Sequence, residues 1–325
     1  MFNESHFELS YLDVSVHKMM LQDVHRTKAY EQALKQEVMP EHTVMDFGCG
    51  TGVLSIFASR FGAKQVIAVD RTRFIQVAQR IAKENSASNI EFYHDDHNTL
   101  KLDEKVDVLV SEWMGHFLFY EEMLEPLLKV RDRFLKEGGV MIPKEVSLHA
   151  ALLVDDKLHN DLSFFRKTHY DIDYSILANV PFEQVILDRW TPNQLLDLQI
   201  ELGTLDLLTL EKPPEELHGN VTADKDATVY GICGWFDALT ADGIKLGTGP
   251  NDPATHWNQM MFPLEQPFEI KAGREISIEI VLPISSYDRW EWTISDGTST
   301  IRHNNMRFRE TSIQPLSGGK LPSGS

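Results

Sequence analysis

The sequence predicts an α/β chain: a doubly wound parallel sheet, then an antiparallel sandwich or barrel. Three observations predict it. Short apolar runs at residues 43–47, 65–69 and 106–110 alternate with helical stretches between about 41 and 143, as expected of strands buried on both faces. The first run enters the Gly-rich turn Gly48-Cys49-Gly50-Thr51-Gly52 before a helix begins, the layout of ligand-binding turns in open α/β sheets. After Gly138-Gly139-Val140-Met141-Ile142-Pro143 the pattern changes to apolar–polar alternation, as at residues 146–153 and 276–282, which suits antiparallel strands with one buried face.

In chain order, residues 1–40 read as helical, with Met19, Met20, Leu21 and Ala29 set among charged residues. Residues 41–143 form the first sheet unit and 144–325 the second, with the boundary at the Gly-Gly-to-Pro stretch. From about 164 to 196 the alternation is interrupted by Phe, Tyr and Trp among polar residues. Residues 317–325, rich in Ser and Gly, read as a flexible tail. No internal repeat is visible.

Composition narrows the function. At 325 residues the chain is long enough for a large core, and its hydrophobic content of 42% is that of a soluble globular protein. No apolar run approaches membrane-spanning length and the N-terminus lacks a signal-peptide pattern, so no membrane partner and a cytoplasmic location are expected. Two cysteines, Cys49 and Cys233, suggest neither a disulfide framework nor a cysteine metal site. A formal charge of −18 disfavours nonspecific nucleic-acid binding and would attract Arg-rich polypeptides; solubility is its plainer explanation.

The glycines of the turn follow GxGxG. The dinucleotide fingerprint GxGxxG would need glycine where Val53 stands. The second strand ends at Asp70, a carboxylate able to accept both hydroxyls of an unphosphorylated ribose. Turn and acid together favour S-adenosylmethionine over NAD; a tight turn without ligand is the alternative for the turn alone.

Beyond the third run, Glu112 and Glu121 stand nine positions apart (121 − 112) in an otherwise aromatic and apolar segment, Ser111-Glu112-Trp113-Met114-Gly115-His116-Phe117-Leu118-Phe119-Tyr120-Glu121. Two acids in such a loop are unfavourable unless a cation joins them. A planar guanidinium suits the pair better than an ammonium. The alternative is two solvated acids that never meet.

Taken together, these segments resemble the protein arginine methyltransferase family, type I-like. The residues 45–52 are similar to its S-adenosylmethionine motif, and the run from Glu112 to Glu121 to its double-glutamate loop. Thr255-His256-Trp257 is similar to its Thr-His-Trp loop, and residues 17–27 resemble the N-terminal helix that closes over the cofactor. The resemblance implies an S-adenosylmethionine-binding Rossmann-like domain followed by an antiparallel β-barrel domain with a dimerisation arm at about 164–196. It implies that His17, Met20, Arg26, Asp46, Gly48, Gly50, Asp70, Asp96 and His97 hold the cofactor, with Arg26 on its carboxylate. Tyr11, Met20, Met114, Met123 and Trp257 would line the substrate, and Met20 and Met123 would favour asymmetric dimethylation. Three departures stand out: Phe7 at the first position of an N-terminal Tyr-Phe-x-x-Tyr element, His116 where a Tyr is usual, and Asp95-Asp96-His97 in place of the acid-containing segment that contacts adenine.

The chemistry so implied joins two cations. Charges about 4 Å apart repel by roughly 4 kcal/mol at an effective dielectric near 20. Glu112 and Glu121 would cancel that repulsion and fix the guanidinium plane. A guanidinium pKa of about 13.8 argues against prior deprotonation, so positioning and electrostatics would drive in-line displacement. His256, oriented by Asp23, could receive the proton; holding the second domain against the sheet is its alternative role. Rival functions are methylation of free arginine or another small guanidine, and a catalytically silent scaffold for Arg-rich partners.

Overall fold

The computed structural model describes residues 11–282 and 290–305. Phe7 and the expected tail at 317–325 lie outside the described residues. Helices α1 (Val14–Gln22) and α2 (Val24–Glu37) come first, separated only by Asp23. Asp23 caps α2 by accepting the Arg26 N–H at 2.9 Å, a local signal of the kind that starts helices.

The parallel unit then runs β1 (Thr43–Phe47), α3 (Val53–Arg60), β2 (Gln65–Asp70), α4 (Ile75–Glu84), β3 (Ile90–His94), β4 (Val106–Val110), α5 (Leu124–Phe134) and β5 (Leu135–Ile142). Strand order is β3-β2-β1-β4-β5, with every pairing parallel. The apolar runs of β1, β2 and β4 are buried along almost their whole length. Strand order reverses beside β1, whose neighbours are β2 and β4. A crevice therefore opens past the carboxyl ends of β1 and β4. The Gly-rich turn leaves β1 and the acid-bearing segment leaves β4, so this topology brings two distant motifs to one crevice.

At Pro143 the chain leaves the parallel sheet. The second half contains β6 (Glu145–Leu153), α6 (Lys157–Leu162), β7 (Ile186–Asp188), β8 (Ile200–Asp206), β9 (Glu216–Thr222), β10 (Ala227–Ala241), β11 (Ile244–Gly247), β12 (Gln259–Ile270), β13 (Glu275–Val281), β14 (Glu291–Ser295) and β15 (Thr300–Asn304). One antiparallel sheet has the order β7-β12-β10-β6-β8, with β11 on β10; the other is β15-β14-β13-β9. Alternation in β13 is the expected one, with Ile276, Ile278 and Ile280 inward. Among the described residues no ladder closes the two sheets into a ring; they share one apolar core, in which Phe262 meets Trp292 at 5.6 Å between ring centroids.

The interruption expected at about 164–196 is a run of short 3-10 turns between α6 and β7 and on to β8. Its two ends differ. Phe164, Tyr170, Ile172 and Ile176 are exposed, whereas Phe182 and Trp190 are buried within this chain.

The segment between Glu112 and Glu121 is pressed into the second half. The Phe117 ring lies 5.5 Å from Phe262 and 5.9 Å from Trp290. It also covers Gly234 on β10, where an added Cβ would fall 2.5 Å from the ring. Gly234→Ala should therefore lower unfolding free energy by about 1–3 kcal/mol, the usual effect of overpacking a filled core. Urea denaturation measures it; an unchanged midpoint would mean that Phe117 yields without strain.

Candidate active site

The turn after β1 is shaped by three glycines at positive φ: Gly48 (78°), Gly50 (52°) and Gly52 (76°). Such angles admit glycine at no steric penalty. Its amides are largely used within the protein. Gly48 and Cys49 donate to the Val69 carbonyl at 2.8 and 3.0 Å, and Gly50 donates to Asp70 Oδ2 at 2.8 Å. A pyrophosphate would compete for these donors, so the turn suits a ligand without phosphates. Asp70 Oδ1 accepts from the Thr72 N–H and hydroxyl at 2.8 and 2.7 Å.

His17 on α1 closes over the turn. Its ring stacks on Phe74 at 3.7 Å, and Nε2 lies 2.9 Å from the Tyr11 carbonyl oxygen. A carbonyl only accepts, so Nε2 carries the hydrogen and Nδ1 of the neutral ring is an acceptor. Burial lowers the His17 pKa, against the pull of that carbonyl and of Asp70, which favours the neutral ring. Nδ1 is buried beside Gly50 and has no hydrogen-bond partner among the described residues. An unpartnered buried acceptor over a glycine turn fits a bound polar ligand.

Met20, Arg26, Asp96, His97 and Met123 line the same pocket as Gly48, Gly50 and Asp70. Asp46 does not: it lies beneath the turn, accepting the Ser55 N–H at 2.9 Å and hydroxyl at 2.6 Å, and burial pushes its carboxyl up to about 7. Its Oδ2 thus braces α3, while its Oδ1 is buried and has no hydrogen-bond partner among the described residues. Burial tends to raise Asp96, but Asn98 and Thr99 amides hold it below the usual carboxylate range. Burial lowers His97.

Glu112 follows β4 directly. Arg26 forks onto it, with Nε and Nη2 donating to Oε2 at 3.0 and 2.7 Å, while the Met114 N–H donates to Oε1 at 3.2 Å. The expected partner of Arg26 was a ligand carboxylate; in this structure its fork is on Glu112, and both side chains line the pocket. Glu121 accepts the Tyr11 hydroxyl at 2.5 Å. Burial pushes its carboxyl up to about 7; Tyr11 opposes this and the charge of Glu112 adds to it. Phe117, Leu118 and Glu122 all have positive φ, at 45°, 71° and 55°. Each such residue stores of order 1–3 kcal/mol, a pattern concentrated at functional sites.

Asp23 and His256 do meet. Asp23 Oδ2 accepts from the His256 backbone N–H at 2.9 Å and lies 2.8 Å from its Nδ1. Burial would raise Asp23, but the hydrogen bonds from His256 and Arg26 outweigh it and keep the carboxyl ionised. The Trp257 indole donates to the Met114 carbonyl, and the Trp257 carbonyl lies 2.6 Å from His116 Nδ1. Met114 thus serves through its backbone. Its side chain is buried and lines neither pocket, contrary to the expected substrate contact. Tyr11, Met20, His116, Glu121, His256 and Trp257 enclose a second chamber, which shares Tyr11, Met20 and Glu121 with the first pocket. Thr72 and Trp113 also line the first pocket and Phe74 backs His17 there; none was foreseen. The proximity of Thr72 and Phe74 to Asp70, and of Trp113 to Glu112, is the signal in the chain that could have suggested them.

The raised Glu121 has a thermodynamic consequence. Its ordinary value is 4.5 and its folded value about 7, so between these the folded chain binds more protons than the unfolded one. Stability then falls as pH rises through that window and stays reduced above it. Glu121→Gln removes the loss while keeping an acceptor for Tyr11. The variant should be more stable than the parent by about 1–3 kcal/mol at pH 8, with the gap closing toward pH 4.5. Thermal melts across this range check it; a gap independent of pH would mean that Glu121 titrates normally.

Known proteins share this arrangement along almost the whole chain. A profile of the arginine methyltransferase oligomerization subdomain matches residues 144–293, and one of ribosomal protein L11 methyltransferase matches residues 25–162. Protein arginine N-methyltransferase 1 of Saccharomyces cerevisiae is 34% identical over 94% of this chain and 94% of its own length. Protein arginine N-methyltransferase 2 of Xenopus tropicalis is 30% identical over 94% of this chain and 74% of its own. Among solved structures, the Trypanosoma brucei PRMT1 enzyme-prozyme heterotetrameric complex with AdoHcy superposes with a TM-score of 0.81 at 27% identity, covering 91% of this chain and 98% of that one. The expected family and methyl donor are thereby borne out: the chain belongs to the protein arginine N-methyltransferase family, whose methyl donor is S-adenosylmethionine.

Proposed function

We propose that this chain is a type I enzyme that methylates guanidino nitrogens of protein arginine, working in the cytoplasm as a homodimer. The observation that carries the reading is the seam between the two pockets. Tyr11, Met20 and Glu121 belong to both, so a donor held over the Gly turn and an acceptor entering past His256 would meet beside the acids. S-adenosylmethionine, when bound, supplies a methyl group on a cationic sulfonium. Gly48 and Gly50 admit the cofactor closely, Asp70 takes the ribose hydroxyls and His17 Nδ1 accepts one of its N–H groups. With its fork on Glu112, Arg26 turns a remaining guanidinium N–H to the cofactor's carboxylate, Met20 and Met123 pack beside the reacting centre, and Asp96 and His97 face the base.

Glu112 and Glu121 hold the guanidinium plane and offset the repulsion between the two cations. Glu121, raised by burial, ionises when the cationic acceptor arrives. With Nδ1 on Asp23, His256 offers Nε2 to the proton released during transfer. Space bounded by flexible methionines rather than bulkier groups supports a second methylation of the same nitrogen. An excess of acids over bases, 49 against 31, supports Arg-rich polypeptides over free arginine.

Glu112→Gln should lower turnover of an Arg-Gly-rich peptide by about 10²–10³-fold, the usual loss on removing one preorganised electrostatic contact, with calorimetric cofactor affinity changed by only a few fold. Mass spectrometry of peptide and free arginine, incubated separately with S-adenosylmethionine, should find asymmetric dimethylarginine in the peptide. Turnover of free arginine alone would reverse the substrate choice, and near-parental activity of the variant would sink the mechanism.

The exposure of Phe164, Tyr170, Ile172 and Ile176 along one short arm supports the dimer, since an interface would cover them. Light scattering at micromolar concentration should give twice the chain mass, and an Ile172→Asp/Ile176→Asp double variant should shift it toward one. A fully active monomer would remove the arm from the account.

A further inference from the structure

We propose that His116 is a substrate-specificity residue: its Nε2 accepts one N–H of the arginine guanidinium inside the second chamber. The inference rests on the reading of that chamber as the acceptor pocket. Three observations carry it. His116 Nδ1 lies 2.6 Å from the Trp257 carbonyl oxygen, an atom that only accepts, so Nδ1 must carry the hydrogen. In the neutral ring the remaining nitrogen is then an acceptor, and among the described residues no protein donor is paired with it. The ring is also held in place, edge-on to Tyr120 at 5.9 Å, and it lines the chamber together with Tyr11, Met20, Glu121 and His256.

The chemistry of the ligand fits this acceptor. A guanidinium presents five N–H donors in a plane. A pair of carboxylates meets them along two edges, and a neutral acceptor can satisfy a further N–H without adding charge. Burial, followed by the nearby His256, lowers the His116 pKa against the pull of the Trp257 carbonyl. The ring thus stays neutral, which a cationic substrate requires of a group this near. A Tyr at this position would reach further and carry a hydroxyl rather than a ring nitrogen, so the exchange alters what the chamber accepts.

Two amide variants separate the nitrogens. His116→Asn keeps an N–H near the place of Nδ1 but has no acceptor at that of Nε2; His116→Gln carries its amide oxygen out toward the latter. Steady-state kinetics on an Arg-Gly-rich peptide should show KM rising about tenfold in His116→Asn, as expected for loss of one hydrogen bond to a charged group. kcat should fall less, His116→Gln should recover most of the loss, and calorimetric S-adenosylmethionine affinity should stay within about twofold. A His116→Asn KM within about twofold of the parent overturns the proposal. Equal losses in both variants overturn it too, because the acceptor that Gln carries toward the place of Nε2 would then make no difference, and so does loss of cofactor affinity in both, which would make the ring a structural prop. Parental turnover in the same assay tests the chamber reading itself; no methylation of the peptide by the parent would overturn that reading and this one together.

Discussion

Everything in the site hangs on the carboxylate of Asp23. One oxygen caps α2 and so sets the helix turn from which Arg26 reaches Glu112. The other takes both the backbone N–H and the ring of His256, a residue 233 positions away in sequence. From His256 the chain passes to Trp257, whose indole and carbonyl grip Met114 and His116 on the segment between the two glutamates. Three separate regions are thereby registered against one another through a few directional bonds. A carboxylate so buried is stable only because every bond to it comes from a donor, and removing a partner from such a pair typically costs about 3–5 kcal/mol.

The acids of the site differ according to what surrounds them. Asp23 stays ionised because donors outweigh burial, whereas Glu121, with the Tyr11 hydroxyl as its donor, is pushed toward neutrality. Glu112 is balanced by the Arg26 fork. The result is a site in which the charge on Glu121 responds to an arriving cation while Asp23 stays ionised. Coulomb repulsion between two like charges at contact distance is of the order of several kcal/mol in a partly buried site, so an acid that ionises on demand offsets it without leaving an unpaired buried charge in the meantime.

Much of this was legible in the sequence where the signal was local. The apolar runs became β1, β2 and β4, and the change of texture after Pro143 became two antiparallel sheets. The Gly turn and Asp70 fell together because adjacent parallel strands place their carboxyl ends side by side. Local patterns do not say which way a side chain turns. Asp46 points under α3 to Ser55, and Met114 buries its side chain while lending its carbonyl. The aromatics of the arm split for the same reason: composition alone does not separate Phe182 and Trp190, buried at its base, from Tyr170 at its exposed part. The Asp23–His256 pair, with no helical or strand spacing to announce it, was reachable only through family resemblance.

The loop between the glutamates shows why such a site needs the second half of the chain at all. Phe117 and Leu118, with Glu122 just past its end, occupy the left-handed region, where side chains with a Cβ are disfavoured, and a Cβ on Gly115 would fall 2.8 Å from the Glu121 side chain. A free loop would relax out of that shape. Here Phe117 is seated against Phe262 and Trp290, and Leu118 is buried in the same core, so leaving the strained conformation would expose apolar area worth about 1.5–3 kcal/mol per side chain. Burial of two side chains thus matches the strain of three backbone angles. The antiparallel sheets act as the clamp that holds both carboxylates at the mouth of the crevice, and the catalytic geometry is stored in the packing between the two halves rather than in either one.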